Sequence, residues 1–226
     1  INFQFREPFF EDTDDKQSSI IKQLPPRNTY VRNLSSKNYL PNKEIKNLLK
    51  NHPESGILSI GRVPRNSLDY LRELAKELSW PVFADITSGL RLGDNCPNRI
   101  TYYDQLLVEN MEPSKWEIDT IWHIGFPPTS KRWIESWEKN SSTQMIWIAN
   151  HCERHDPSHN FRMRIETDIP EFCIQVLDEL KLKKSSKKVQ KNTFDWFEAN
   201  KIIENFFENH FRSNYEKLYI NDFKLA

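Results

Sequence analysis

The sequence predicts an α/β protein, a three-layer open and mostly parallel sheet with helices on both faces. Between residues 56 and 182, short apolar runs alternate with segments whose apolar residues recur at helical spacing. Strands connected through helices pair in parallel by right-handed crossovers, and such crossovers place helices against the sheet. One hydrophobic core then lies on each side of the sheet.

Apolar runs predict four strands, over residues 57–60, 81–84, 120–124 and 145–149, and residues 161–165 predict a short fifth strand. The segments that follow them predict helices over residues 66–79, 102–110, 130–139 and 168–180, and an amphipathic helix begins near Trp196. Pro81 is acceptable at the first position of its strand. Asp168 is the predicted N-cap of its helix, with Glu171 at the capping-box position.

The segments on either side of residues 56–182, the predicted α/β middle domain, have a different composition. Residues 1–55 contain five prolines, which predict an irregular N-terminal arm with one short helix over residues 44–51. Residues 183–226 predict a lysine-rich linker and a helical lead into a further domain. Because the chain starts without Met and its last segment meets no strand, we expect a piece of a longer protein.

The composition argues against several classes of function. The 32 basic and 32 acidic residues give a net charge of zero, hence no overall attraction to nucleic acid or anionic lipid. No apolar run approaches the ~20 residues of a membrane span. Three cysteines without CxxC spacing argue against a disulfide framework and a structural zinc site. We therefore expect a reducing compartment, the cytoplasm or, for a plastid-encoded protein, the stroma.

Three short loops follow predicted strands and combine glycine with arginine. They cover residues 61–64, 89–93 and 125–132. In an open parallel sheet, ligands bind at the edge formed by the carboxyl ends of the strands. The loops therefore predict a site for an anion at that edge.

The third loop carries the candidate binding residues, Lys131 and Arg132, at a predicted helix start. Free N–H groups at a helix start attract anions, and Ser130 is placed to cap the turn. Arginine also grips a carboxylate through two parallel hydrogen bonds, so the pattern indicates a carboxylate or phosphate ligand. The alternative is a pair of solvated cations beside Glu135 and Glu138.

Two other motifs give only weak evidence for a nucleotide or metal site. A dinucleotide fingerprint needs three glycines, but Gly61 is followed by bulky Arg62 and Arg65. Two histidines flank Asp156 within residues 154–159, yet the proline between them prevents a helical metal-binding face, and a polar turn held by Asp156 is the better interpretation. The sequence predicts no catalytic, cofactor-binding or metal-binding residue within this chain.

Four motifs in the same order resemble a known enzyme family. Residues 1–8, 80–91, 129–132 and 154–159 are similar to stretches of the middle domain of 2-succinyl-5-enolpyruvyl-6-hydroxy-3-cyclohexene-1-carboxylate synthase, a thiamine-diphosphate enzyme of menaquinone and phylloquinone biosynthesis. The stretch from Trp80 to Arg91 is the most specific of the four. Phe3 and Gln4 depart from the family's usual Cys and Pro.

The resemblance implies a function that composition and spacing do not. The full-length enzyme decarboxylates 2-oxoglutarate and adds the resulting unit to isochorismate, with thiamine diphosphate and Mg²⁺ bound by its other two domains. By motif, Lys131 and Arg132 are the middle domain's substrate contacts. The resemblance also implies a full-length homo-oligomer, and a fragment that is inactive without its N- and C-terminal domains.

Two alternatives stay open at this point. The chain is the middle domain of another thiamine-diphosphate enzyme, such as an acetolactate synthase or a 2-oxoacid decarboxylase, or it is a non-catalytic module that binds anions or nucleotides. The combination of residues 80–91 and 154–159 favours the synthase over the first alternative.

Overall fold

A six-stranded sheet in which every strand pair is parallel forms the centre of this computed structural model. The structure describes residues 32–35, 39–50, 55–93, 96–108, 118–139, 143–153, 156, 160–182 and 195–213. The strands are β1 (Arg32–Ser35), β2 (Gly56–Ile60), β3 (Val82–Ala84), β4 (Thr120–Ile124), β5 (Gln144–Ala149) and β6 (Phe161–Glu166). Their order across the sheet is β1-β6-β5-β4-β2-β3.

Helices cover both faces of the sheet. They are α1 (Asn42–Lys50), α2 (Leu68–Leu78), α3 (Tyr103–Leu106), α4 (Lys131–Lys139), α5 (Ile169–Leu182) and α6 (Trp196–Ser213). One core cluster unites buried side chains of α1, α2 and α5 with one sheet face, and the second unites α3, α4 and α6 with the other. The predicted three-layer α/β class is thereby confirmed.

The central strands show why the sequence predicts this arrangement. In β4, Ile121 belongs to one core cluster, whereas Trp122 and Ile124 belong to the other. In β5, Ile146 and Trp147 divide in the same way. A strand buried on both faces has no polar alternation, so it reads as a continuous apolar run.

The sequence analysis missed the strand β1. It lies at an edge of the sheet and pairs with β6, with Leu34 opposite Ile165. Its four residues contain a single apolar side chain, Leu34, so no hydrophobic run signals it. The segment before residue 56 therefore supplies a strand and the helix α1 to the α/β layers, which corrects the prediction of an irregular arm. The other domain limits remain predictions.

Two predicted helices differ in extent. The segment predicted as a helix over residues 102–110 forms the single turn α3, followed by a turn at Leu107 and Val108, and residues 109–117 lie outside the described ranges. The segment predicted over residues 66–79 begins with a 3-10 turn, Arg65–Ser67, and only then becomes α2. Asp168 caps α5 as predicted, because its Oδ1 accepts the Glu171 N–H at 3.0 Å.

Candidate functional site

The strand order reverses between β2 and β4. The chain runs from β2 outward to β3, then crosses back to β4 on the other side of β2 and continues through β5 to β6. Such a reversal opens a crevice at the carboxyl ends of the strands, where open α/β sheets bind ligands. The three glycine- and arginine-containing loops follow β2, β3 and β4, so all of them lie at this edge.

The loops after β2 and β4 are joined through their backbones. The Gly61 N–H donates to the Ile124 carbonyl at 2.9 Å, and the Phe126 N–H donates to the Arg62 carbonyl at 3.0 Å. The guanidinium of Arg62 lies over the Phe126 ring, 4.2 Å from its centroid. His151, which follows β5, stacks on the same ring with the two ring centroids 4.0 Å apart. The carboxyl ends of β2, β4 and β5 therefore form one continuous rim.

Asp85 is the first residue after β3. Its carboxylate connects the end of that strand to the third loop, residues 125–132. Its Oδ1 accepts the Thr87 N–H at 2.9 Å and the Thr87 hydroxyl at 2.6 Å. Its Oδ2 accepts the Thr129 N–H at 2.7 Å and the Thr129 hydroxyl at 2.8 Å. Burial alone raises the pKa of Asp85, but these hydrogen bonds outweigh it and lower the pKa below its usual value, so the carboxylate is charged.

Ser130 caps α4, as the sequence predicts. Its Oγ accepts the Trp133 N–H at 3.1 Å, and its hydroxyl donates to Asp104 Oδ1. Thr129 is held by Asp85 and Ser130 by Asp104, so two carboxylates from separate elements fix the start of α4. The residues that follow, Lys131 and Arg132, therefore begin a helix whose first turn is bound by two carboxylates.

The structure places Lys131 and Arg132 at the rim, in different surroundings. The Nζ of Lys131 is 3.6 Å from Glu135 Oε1, and its side chain is 88% exposed. This contact agrees with the alternative of a solvated cation for Lys131. Arg132 differs, because its Nη1 donates to Asp104 Oδ2 at 2.7 Å from a helix on the same sheet face, and its side chain is 53% exposed.

Two further arginines come from the segment after β3: Arg91 contacts the last residue of that strand, and the backbone of Arg99 pairs with Val82 at its start. Arg91 donates to the Ala84 carbonyl at 3.4 Å, and its guanidinium lies 5.1 Å from the centroid of the Tyr103 ring. Burial lowers the pKa of Arg91, and nearby Tyr103 and Asp104 oppose that effect. Arg99 donates to the carbonyls of residues 90 and 93 and so holds the loop closed. Positive charge from two loops thus gathers around α3.

A buried histidine of β4, His123, contacts the backbone of the third loop. The Oγ of Ser59 accepts the Trp133 indole N–H at 2.8 Å and lies 2.9 Å from His123 Nδ1. The Nε2 of His123 lies 2.9 Å from the Phe126 carbonyl. A carbonyl only accepts, so Nε2 carries the proton. Burial lowers the pKa of His123 to about 4, so at neutral pH Nδ1 is unprotonated and accepts the Ser59 hydroxyl. The imidazole is therefore neutral and holds Phe126 in place.

We expect His123 to make stability depend on pH. Burial lowers its pKa from 6.5 to about 4. As pH falls, His123 is protonated in the unfolded state before it is protonated in the folded state. Its contribution to the free energy of unfolding is therefore fully present above pH 6.5 and is lost as pH falls from 6.5 towards 4. The free energy of unfolding from urea titrations should be about 2 kcal/mol lower at pH 5 than at pH 7. The His123→Gln variant should lose most of this slope, whereas exposed His210→Gln should keep it; equal slopes in both variants would contradict the assignment.

The remaining motif and the cysteines give no metal centre in the described part of the chain. Asp156 accepts the N–H groups of Asn160 at 2.9 Å and Phe161 at 3.2 Å, which is the polar turn that the sequence predicts, while residues 154–155 and 157–159 lie outside the described ranges. Among the described residues, no group of three or more His, Cys, Asp or Glu side chains is placed to hold a metal ion. The cysteines that the structure describes, at positions 96, 152 and 173, are free.

The sequence analysis assigned no role to Asp85, Asp104 or His123. Asp85 had a local signal, since an aspartate two residues before a threonine at a strand end is typical of a side chain that bonds to the following backbone. Asp104 had none, because its partner Arg132 lies 28 residues away. His123 sits within an apolar strand, where its spacing does not distinguish it from the core residues around it.

Comparison with known proteins gives one family and a set of similar enzymes. Residues 17–225 match the family model described as "Middle domain of thiamine pyrophosphate". The chain is 28% identical over 176 residues to a 2-succinyl-5-enolpyruvyl-6-hydroxy-3-cyclohexene-1-carboxylate synthase of Rubrobacter xylanophilus, covering 76% of this chain and 30% of the relative.

A synthase of the same name from Synechococcus elongatus is 26% identical over 180 residues, covering 77% of this chain and 30% of the relative. Protein PHYLLO, chloroplastic, of Arabidopsis thaliana is 31% identical over 143 residues, covering 59% of this chain and 8% of the relative. These matches confirm the family that the motifs indicate; the motif at residues 1–8 lies before the matched range and outside the described residues. The chain spans about 30% of the length of the two synthases.

Proposed function

Because the chain belongs to the family of middle domains of thiamine pyrophosphate enzymes, we propose that it is the middle domain of a synthase that decarboxylates 2-oxoglutarate and adds the succinyl unit to isochorismate. The names of the similar enzymes support this proposal, as do the motifs at residues 80–91 and 129–132. In this proposal the domain supports its N- and C-terminal neighbours and supplies cationic contacts to the substrates.

The observation that carries the proposal is the fixed start of α4 at the sheet rim. Asp85 and Asp104 hold the residues just before Lys131 and Arg132, while both cationic side chains reach solvent. The two substrates are carboxylates, and a positioned arginine or lysine orients a carboxylate and stabilises negative charge that develops nearby. Lys131 and Arg132 are therefore the proposed substrate-binding residues.

We assign no cofactor chemistry to this chain. When bound, thiamine diphosphate supplies the electron sink for decarboxylation, and Mg²⁺ anchors its diphosphate. The described residues do not fit a metal site, since no three candidate ligands are grouped among them. We propose that other domains of the longer protein hold both groups and that this chain alone is inactive.

The assembly and the compartment are further proposals. We propose a homo-oligomeric full-length protein in the cytoplasm, or in the stroma for a plastid-encoded chain. The free cysteines of the described residues are consistent with a reducing compartment. None of the described helices is long and apolar enough to cross a membrane. Light scattering on the full-length protein tests the oligomeric state.

We expect Lys131→Ala and Arg132→Ala each to raise the KM of the full-length synthase for one of its two substrates about ten-fold, because a charged hydrogen bond to a carboxylate contributes on the order of 1.5–3 kcal/mol. Steady-state kinetics with 2-oxoglutarate and isochorismate varied in turn measures this effect. Lys139→Ala, at the exposed far end of α4, is the matched control and should leave both KM values unchanged. The isolated chain should show no turnover, and unchanged KM values in both rim variants would contradict the proposed contacts.

A further inference from the structure

We propose that Asp104 is a positioning residue for the substrate-binding arginine, Arg132. This inference rests on the proposed function, in which Arg132 receives a substrate carboxylate. Asp104 belongs to α3, and its two oxygens bind two neighbouring groups at the start of α4: Oδ1 accepts the Ser130 hydroxyl and Oδ2 accepts Arg132 Nη1 at 2.7 Å. One carboxylate therefore sets both the helix cap and the direction of the guanidinium.

The helix that carries Asp104 is itself held firmly. The ring of Tyr103, the preceding residue, is buried and stacks on Phe83 of β3, with centroids 4.9 Å apart. The N–H of Tyr102 donates to Asn200 Oδ1 on α6 at 2.9 Å. A side chain on such a support holds its partner more closely than a side chain on a loose loop does. Asp104 thus offers Arg132 a fixed anchor.

The pair differs from an ordinary surface ion pair. Exposed pairs contribute little, because solvent screens them and ordering two long side chains is costly. Asp104 is short, its side chain is 27% exposed, and it is already held by Ser130, so little freedom is lost when Arg132 joins it. Ion pairing of this kind orders the guanidinium before a ligand arrives.

The pairing also leaves Arg132 able to bind a second carboxylate. A guanidinium has five N–H donors, and the contact with Asp104 uses Nη1. Among the described residues, Asp104 is the acceptor that Arg132 contacts, and the arginine side chain is 53% exposed. The remaining donors point from a side chain whose direction is already fixed, which reduces the entropy lost on binding.

The test is a double-mutant cycle in the full-length synthase, with KM and kcat measured for both substrates. Asp104→Asn should raise about five-fold the KM that Arg132→Ala raises, and kcat should change less than two-fold. In the Arg132→Ala background, Asp104→Asn should change that KM less than two-fold, because no guanidinium is left to position. Asp69→Asn is the matched control: it breaks an aspartate–arginine contact of 2.6 Å on α2 and should leave KM unchanged.

A further variant separates positioning from support of the helix. Ser130→Ala removes the cap of α4 and one of the two contacts of Asp104 but leaves the Asp104–Arg132 pair, so it should lower thermal stability and raise the KM by less than Asp104→Asn does. A KM increase in Ser130→Ala equal to that in Asp104→Asn would overturn the positioning role. So would Asp104→Asn and Arg132→Ala effects that multiply in the double variant.

The outcomes also separate this inference from the proposed function. If Arg132→Ala leaves both KM values unchanged, the proposed substrate contact fails. If Arg132→Ala raises a KM and Asp104→Asn does not, the contact stands and the positioning role is overturned. Should circular dichroism show that Asp104→Asn is unfolded, Asp104→Glu replaces it in the same cycle, and multiplying effects again overturn the inference.

Discussion

Replacing Asp85 with alanine should lower the free energy of unfolding of this chain by about 3 kcal/mol. The carboxylate is buried and accepts four hydrogen bonds from Thr87 and Thr129. Alanine leaves the two backbone N–H groups and the two hydroxyls without this acceptor, and unpaired donors in a buried site are costly. Urea unfolding followed by tryptophan fluorescence at pH 7 measures the loss.

The matched control is Asp168→Ala, which removes an exposed carboxylate that accepts the Glu171 N–H at 3.0 Å. Loss of an exposed N-cap costs about 1 kcal/mol. Equal losses in the two variants would show that Asp85 is no more than an ordinary cap.

The pH dependence of the Asp85→Ala effect gives a second check. The pKa of Asp85 is lowered in the folded state, so its stabilising contribution is present above the unfolded pKa and disappears as pH falls through the folded value. The difference between the parent chain and Asp85→Ala should therefore shrink at acidic pH, below the window in which His123 acts. A difference that grows on acidification would contradict the hydrogen-bond assignment.

The layers of this fold follow from signals that are local in the sequence. Strands β2 to β5 contain apolar runs because both of their faces are covered, whereas β6 alternates apolar with charged residues. Helices α2, α4 and α5 show an apolar stripe because only one face is covered. β1 has neither pattern: it is a four-residue edge strand with Leu34 as its single apolar residue. Its position depends on pairing with β6, which is distant in sequence, so no local signal predicts it.

The candidate site was predicted only to the level of its loops. Glycine and arginine after each strand, together with the rule for open parallel sheets, place Lys131 and Arg132 at the carboxyl rim. The contacts that fix those loops come from other elements: Asp85 reaches Thr129 across 44 residues, and Asp104 reaches Arg132 across 28. Such contacts depend on the relative positions of strands and helices, so the spacing of residues in the chain does not contain them.

We expect Gly61→Ala to lower the free energy of unfolding by about 3 kcal/mol or more. A Cβ at position 61 would lie 1.8 Å from the Phe126 carbonyl oxygen. That oxygen belongs to the backbone and accepts the His123 Nε2 proton at 2.9 Å, so it moves only if the hydrogen bond breaks. The Gly61 N–H also donates a hydrogen bond to the Ile124 carbonyl of the neighbouring strand, which a shift of the loop would weaken.

The control for Gly61→Ala is Gly89→Ala, at a glycine of the second loop with φ of 76°. Among the described residues, its added methyl would meet Leu68 methyl groups at 3.4 Å and nothing closer, so the expected loss is about 1 kcal/mol from the left-handed backbone. Urea unfolding of both variants compares close packing with backbone strain. Gly61 lets the loops after β2 and β4 touch, and this close contact, not nucleotide binding, explains a glycine at this position. A smaller loss for Gly61→Ala than for Gly89→Ala would exclude close contact as the explanation.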